Sequence, residues 1–153
     1  MPNKTTVALT FEQFREIINT MRSGGSGFRP NSRIAACLVL EANLGLRIDD
    51  ILQLHLADFL KDGANYRINI TEQKTQKKRT FIVPLAVYQF LYMYCEEHGI
   101  KKDDTIFPIT TRAVQKHLQK IADYLGYENI GTHSFRKFLH QIFTKPMDMI
   151  LNW

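Results

Sequence analysis

Apolar residues recur at helical spacing in several segments of the chain. Positions 11, 14, 17, 18 and 21 are apolar, which predicts a helix over residues 11–22. Thr10 and Gln13 stand three residues apart, as in a capping box, and mark its start. The same periodicity predicts helices over 32–44, 86–97 and 111–125, followed by Gly45, Gly99 and Gly126 as C-terminal caps, and a last helix that begins near His133.

The middle of the chain has a different pattern. A short amphipathic helix is predicted over residues 48–54, and residues 61–63 (KDG) predict a turn. Alternating residues at 66–70 and a β-prone run at 80–83 predict two strands, joined by the basic segment 72–79 (EQKTQKKR) as a hairpin. We therefore expect an α+β fold, mainly α-helical with a small antiparallel β-hairpin or sheet.

No composition change divides the chain. We find no internal repeat and no low-complexity block, so the 153 residues are expected to form one domain over 1–153. The segment 23–30 (SGGSGFRP) is too rich in Gly, Ser and Pro for regular structure and predicts a flexible turn between the first two helices.

Charge adds a preference for a partner. Lys and Arg number 20 against 15 Asp and Glu, giving a net charge of +5, which favours polyanions such as nucleic acid. Cys37 and Cys95, the two cysteines, lie in apolar stretches, as expected of a reduced cytosolic protein. No apolar run is long enough for a membrane span, so we expect a cytoplasmic protein without a membrane partner.

Four basic positions are candidates for chemistry. Arg47 stands three residues before Asp50, which also fits a simple surface ion pair. His133 and Arg136 lie three apart and would share one helix face, where two donors could bind a phosphate. Lys74 belongs to a basic hairpin tip, and such runs are usually solvated loops.

Other chemistries find little support. The five histidines show no paired spacing with cysteine, and the chain has no Cys-x-x-Cys, so no metal site is expected. Residues 23–27 lack the Lys-Ser/Thr of a phosphate loop, which argues against nucleotide hydrolysis. No cofactor is expected.

Together, these motifs resemble the tyrosine recombinase (phage integrase) family over nearly the whole chain. Gly45-Leu46-Arg47 with Asp50 is similar to its first arginine motif, with Leu54 and Asp58 fitting the turn that follows. Lys74-Thr75, then Val83-Pro84-Leu85, is similar to its lysine hairpin. A helix that ends at Gly126 precedes His133-x-x-Arg136, and the intervals between these motifs are similar to the family's. The resemblance implies the catalytic-domain (DNA breaking-rejoining) fold.

The resemblance also implies a reaction. In this family a tyrosine hydroxyl attacks a DNA phosphodiester without a metal, holds the 3′ end as a phosphotyrosine, and the strand is later rejoined. Arg47 and Arg136 would then balance charge on the phosphate oxygens, Lys74 would protonate the leaving oxygen, and His133 would assist proton transfer. Asp50 would orient Arg47. Further contacts to double-stranded DNA are expected from the basic side chains Lys77, Lys78, Arg79, Arg112 and Lys116.

The nucleophile departs from the family pattern. Relatives carry a second His or Trp and then the tyrosine well downstream of His-x-x-Arg, whereas no tyrosine follows Tyr127 here. Trp153 falls too close to Arg136 for the His or Trp position, and Pro146 would break a helix there. We therefore expect a catalytic domain without the N-terminal core-binding domain and without the C-terminal nucleophile segment. A search for covalent DNA adducts tests whether the nucleophile is absent.

Three hypotheses remain open at this point. In the first hypothesis, the chain is a recombinase-derived enzyme domain that binds DNA but does not cleave alone, and the full-length protein self-associates on DNA. Alternatively, it is a catalytically dead integrase that binds DNA as a regulator. The third hypothesis is a helical protein-interaction domain with a merely solvated basic hairpin, which predicts no DNA binding at low salt.

Overall fold

A computed structural model describes residues 6–138 of the chain. Within them, Thr10 accepts a hydrogen bond from the Gln13 amide at 3.1 Å while Gln13 Oε1 accepts from the Thr10 amide at 3.0 Å. This capping box starts the first helix as predicted. The helices are α1 Phe11–Ser23, α2 Ser32–Leu44, α3 Ile48–Ile51, α4 Leu85–Glu97, α5 Thr111–Leu125 and α6 Thr132–Phe138.

Helix α2 lies at the centre of the fold. Every residue from Ile34 to Leu44 is buried, because α1, α3, α4 and α6 all contact this helix. Asn31 caps its start by accepting a hydrogen bond from the Ile34 amide at 3.0 Å. Gly45 ends it in the left-handed conformation, with φ of 71°, which glycine adopts without steric cost. The segment that carries Arg47 therefore begins at the end of a helix held in the core.

The sheet contains one more strand than predicted. Strands β1 Leu60–Asp62, β2 Asn65–Thr71 and β3 Lys78–Val83 form an antiparallel sheet in the order β1-β2-β3. The predicted turn at 61–63 was wrong in part: Lys61 and Asp62 pair with Tyr66 and Asn65, and the chain reverses at Gly63, where φ is 62°. The helix predicted over 48–54 is also shorter, ending at Ile51. The α+β fold class is confirmed.

Aromatic rings join α6 to α1 in the core. Phe138 stacks on Phe14 with ring centroids 5.0 Å apart and meets Phe11 edge-on at 5.0 Å. Phe135 packs against Phe14 at 5.9 Å, and both α6 rings are fully buried. Such contacts, together with α2, fix the helix that carries His133 and Arg136.

The glycine-rich segment between α1 and α2 is docked on the fold, unlike the flexible turn predicted from its composition. Gly25 and Phe28 form an isolated β-bridge, and Phe28 packs edge-on against Tyr124 of α5 at 5.2 Å. A side chain at Gly25 would meet the Phe28 ring at 2.7 Å. A larger residue here would therefore have to displace the Phe28 ring from this position.

Candidate functional site

The first predicted motif lies where α2 gives way to α3. Leu46 is buried in the core, and Arg47 follows it as the N-cap residue of α3. The guanidinium of Arg47 is partly buried: its Nη1 is buried and has no hydrogen-bond partner within residues 6–138. A buried donor of this kind is available for an anionic acceptor.

The second arginine meets the same turn from the other end of the chain. Arg136 Nε donates a hydrogen bond to the carbonyl oxygen of Gly45 at 2.8 Å, across 91 positions in sequence. Because Gly45 precedes Arg47 by two residues, both predicted arginines lie beside one turn of the backbone. The packing of α6 against α2 brings them together.

A cleft opens beside this turn. Its volume is about 460 Å³, and it is lined by Leu44, Gly45, Arg79, Phe81, His133, Arg136 and Lys137. The positive side chains come from β3 and α6, and the apolar ones from α2 and β3. The cleft therefore has the charge and the dimensions suited to a phosphodiester group.

The pKa of His133 reports on the surrounding charges. It is lowered from its ordinary value, first by burial and then by Arg136, Arg47, Lys137 and Lys74. Arg47 and Lys74 do not line the cleft, yet they lie near enough to disfavour the charged imidazole. The charges of the other three predicted catalytic residues, Arg47, Lys74 and Arg136, thus all act on His133.

Lys74 lies on a closed loop between β2 and β3. The Glu72 amide donates to the Lys77 carbonyl at 2.9 Å, and the Gln76 amide donates to the Glu72 carbonyl at 2.9 Å. Gln76 adopts a left-handed conformation with φ of 59°. This geometry leaves Lys74 exposed at the tip of the hairpin.

Asp50 has a different partner from the one expected. Within the part of the chain that the structure describes, no ion pair joins Asp50 to Arg47. Instead, Asp50 Oδ1 accepts a hydrogen bond from the Gln73 amide at 2.9 Å, and the aspartate is 4% exposed. Asp50 therefore links α3 to the loop between β2 and β3, one residue before Lys74.

Arg79 is part of the cleft as well as of the basic hairpin. In β3 it stands opposite Ile70, two residues before Phe81, on the sheet face that packs toward the helices. Its guanidinium lies 4.5 Å from the Phe81 ring centroid, and its Nη1 donates to Glu72 Oε2 at 3.0 Å. Glu72 and Phe81 were not predicted from the sequence, although the period of two in β3 places Arg79 and Phe81 on one face.

The other predicted DNA contacts lie outside the cleft. Lys77 and Lys78 are exposed on the hairpin, and Arg112 and Lys116 are exposed one turn apart on α5. The start of α5 is held against α3 by a hydrogen bond from the Thr111 hydroxyl to Asp49. The structure thus separates these basic residues from the cleft while fixing the helix that carries two of them.

Lys137 lines the cleft but is bound elsewhere. Its Nζ donates to the Thr6 carbonyl oxygen at 2.6 Å, which ties α6 to the segment before α1. The pattern His-x-x-Arg-Lys offered no sign of this contact, because Thr6 lies 131 positions away.

The six tyrosines of the chain all lie within residues 6–138, and none lines the cleft. Tyr127 donates a hydrogen bond to Glu16 Oε2 at 2.6 Å, which raises its pKa to about 12. Burial raises the pKa of Tyr94 and, together with Tyr66, that of Tyr88. These shifts keep the phenols protonated, which is opposite to what activates a nucleophile.

Metal clusters and membrane-spanning helices are both absent from residues 6–138. Residues 6–138 contain no group of three or more His, Cys, Asp or Glu side chains arranged to hold a metal ion. The helices in this part of the chain are too short or too polar to cross a membrane.

Comparison with known proteins places the chain among recombinases. The profile described as the phage integrase family matches residues 8–149. A "Probable integrase/recombinase YoeC" of Bacillus subtilis (strain 168) is 29% identical over 127 residues, covering 78% of this chain and 67% of the relative.

Solved structures share the fold. The XerH site-specific recombinase in a pre-cleavage complex with its difH substrate aligns with a TM-score of 0.62 and 20% identity, over 98% of this chain and 48% of that chain. The lambda integrase dimer on a COC′ core site aligns with a TM-score of 0.69 and 17% identity, over 95% of this chain and 43% of that chain. The lambda integrase catalytic core aligns with a TM-score of 0.68 and 16% identity, over 97% of this chain and 91% of that chain. This chain thus spans about half the length of the DNA-bound chains. The family match over most of the sequence establishes that the chain belongs to the phage integrase family of tyrosine recombinases.

Proposed function

We propose that this domain binds double-stranded DNA and activates a scissile phosphate for site-specific strand exchange. The observation that carries the proposal is the Arg136–Gly45 hydrogen bond at 2.8 Å, which sets one arginine beside the turn that bears the other. Two guanidinium groups held by a buried framework are already oriented toward the charge that develops on the phosphate. Water molecules, by contrast, would have to reorganise during the reaction.

Each cation has a distinct role in this proposal. Arg47 and Arg136 stabilise the charge that grows on the non-bridging phosphate oxygens, since arginine stays charged and presents parallel donors. Lys74, on its exposed loop, protonates the 5′ oxygen that leaves. His133 hydrogen-bonds the phosphate or assists proton transfer, because an imidazole can be neutral or charged near neutral pH.

The attacking tyrosine is not one of the six in this chain. They lie away from the cleft, and the pKa values of Tyr88, Tyr94 and Tyr127 are raised. We expect the chain to bind DNA without forming a phosphotyrosine by itself.

An incubation with a nicked suicide DNA duplex tests this point. The 3′ end cannot be rejoined on such a substrate, so a covalent intermediate accumulates. Denaturing electrophoresis is expected to show no protein–DNA adduct, while mobility shifts at low salt show a complex. An adduct that maps to any of the six tyrosines would overturn the assignment.

A catalytically inactive, DNA-bound regulator is the second candidate, because none of the six tyrosines lines the cleft. It shares the DNA-binding prediction and differs in that no added segment restores cleavage.

The comparison structures include a lambda integrase dimer and a tetramer on a Holliday junction, so we propose that self-association accompanies DNA binding. Sedimentation of the chain with a two-site duplex tests that proposal.

A further inference from the structure

Glu72 is a buried carboxylate next to the exposed basic residues of the lysine hairpin. It follows the last residue of β2 and is 5% exposed, although the loop that it precedes is exposed from Gln73 to Lys78. A charged side chain this buried is destabilising unless it is paired. Its partners therefore indicate what it does.

The partners of Glu72 are all in the lysine hairpin. Oε1 accepts from the Thr75 hydroxyl at 2.8 Å, and Oε2 accepts from Arg79 Nη1 at 3.0 Å. The Glu72 amide donates to the Lys77 carbonyl oxygen, and the Glu72 carbonyl oxygen accepts from the Gln76 amide, each at 2.9 Å. Glu72, which precedes the tip, is thus joined by four hydrogen bonds to residues 75–79, which follow it. The same contacts, to Thr75 first and then to Arg79, lower the pKa of the carboxyl, which keeps it ionised.

Arg79 connects this network to the cleft. The guanidinium that Glu72 holds also stacks over Phe81 and shares the cleft lining with His133 and Arg136. Because one Nη1 is engaged with Glu72, the orientation of Arg79 depends on the carboxylate. A DNA phosphate in the cleft would meet Arg79 as a further cation, and the lysine loop would move with that cation.

We propose that Glu72 is a positioning residue, which sets the place of Lys74 and couples its loop to phosphate contact by Arg79. The proposal rests on the proposed function, since it assumes that the cleft receives a DNA phosphate. It predicts a separation of two properties: removal of the Glu72 charge disorders the loop, while DNA affinity is retained because a negative charge near the phosphate is lost.

Hydrogen–deuterium exchange of the segment 71–80, with and without a DNA duplex at low salt, tests the coupling. In the parent, we expect DNA to slow exchange of the Gln76 and Lys77 amides. In Glu72→Gln, these amides exchange about tenfold faster in the free protein, because one hydrogen bond of the network is lost. DNA then binds at least as tightly as to the parent but no longer slows loop exchange.

Glu97→Gln is the matched control, because this exposed glutamate at the end of α4 loses the same charge. It is expected to leave loop exchange, and its response to DNA, as in the parent. Arg79→Gln should abolish the DNA-dependent slowing while the carboxylate remains.

The outcomes separate the two proposals. If the parent does not bind DNA, the proposed function fails. If the parent binds and Glu72→Gln keeps the DNA-dependent slowing, the positioning role of Glu72 is wrong while the proposed function stands. The same conclusion follows if the loop of Glu72→Gln exchanges like that of the parent.

Discussion

Arg136 donates its Nε hydrogen to the Gly45 carbonyl oxygen at 2.8 Å, which joins the last described helix to the end of the most buried one. Within residues 6–138 this is the one side-chain hydrogen bond of Arg136, so its terminal nitrogens are left for an anion. A backbone acceptor at Nε fixes the plane of the guanidinium, and this plane determines where two parallel donors point.

Arg136→Lys is expected to lower DNA affinity about tenfold, although the charge is unchanged, because lysine has neither the Nε donor nor a planar fork. Titration of a labelled duplex at low salt measures the loss, and circular dichroism checks that the fold persists. Arg15→Lys, on the exposed face of α1, is the matched control and should bind like the parent. Equal affinity for both variants would rule out an oriented guanidinium.

DNA binding should strengthen as pH falls below 6.5. Burial and nearby cations lower the pKa of His133 from its ordinary value of 6.5 in the free protein. A bound phosphate favours the charged imidazole and raises that pKa, so binding takes up a proton in the interval between the two values. Affinity measured from pH 7.5 to 5.5 should rise, and His133→Gln should flatten the profile. An unchanged profile would remove His133 from the phosphate site.

The stability of the free protein should change with the opposite sign. The pKa of His117 is lowered by burial and then by Lys120, as that of His133 is by its surroundings, so the unfolded chain binds these protons more tightly than the folded one. Stability is therefore full above 6.5 and falls as pH decreases through the values below it. Urea unfolding at pH 7.5 and 5.5 measures the difference, and His117→Gln should reduce it.

Helix ends and motif order were predictable from sequence because their causes are local. The capping pair Thr10 and Gln13, and the left-handed glycines Gly45 and Gly126, are short-range signals that the structure confirms. Strand β1 was missed since Lys61 and Asp62 have the composition of a turn, and only pairing with β2 makes them a strand. Pairing of this kind overrides local propensity.

The site contacts depend on distant residues and could not be predicted in the same way. Asp50 was expected to orient Arg47, its neighbour by three positions, but it binds Gln73, which lies 23 positions away. The family resemblance indicated which residues matter, whereas the inward face of β3 determined that Arg79 joins the cleft. The tasks of Glu72 and Lys137 are likewise set by tertiary packing.

Asp50→Ala is expected to cost about 1–2 kcal/mol of unfolding free energy, because the Gln73 amide loses its acceptor. Asp50→Asn should cost less, since the side-chain carbonyl can still accept that bond. Urea titration gives both values, with Asp103→Ala, an exposed aspartate, as the control. If alanine and asparagine destabilise equally, the hydrogen bond to the hairpin does not hold the loop.

The basic residues outside the cleft should contribute through charge alone. The double variants Arg112→Ala/Lys116→Ala and Lys77→Ala/Lys78→Ala are each expected to weaken DNA binding for any duplex sequence. The slope of log affinity against log salt should fall by about 1 for each lost phosphate contact. Lys61→Ala/Lys102→Ala, exposed on other elements, provides the matched loss of two charges. A variant whose slope equals that of this control does not remove phosphate contacts.

The burial of α2 gives the two halves of the site different local stabilities. Gly45 ends a helix whose residues from Ile34 to Leu44 are all buried, so the arginine turn is expected to open less readily than an exposed loop. Lys74 lies on an exposed loop that can open while the rest of the molecule stays intact. If Lys74 is the proposed proton donor, its loop can open and close during one binding event more readily than the arginine turn.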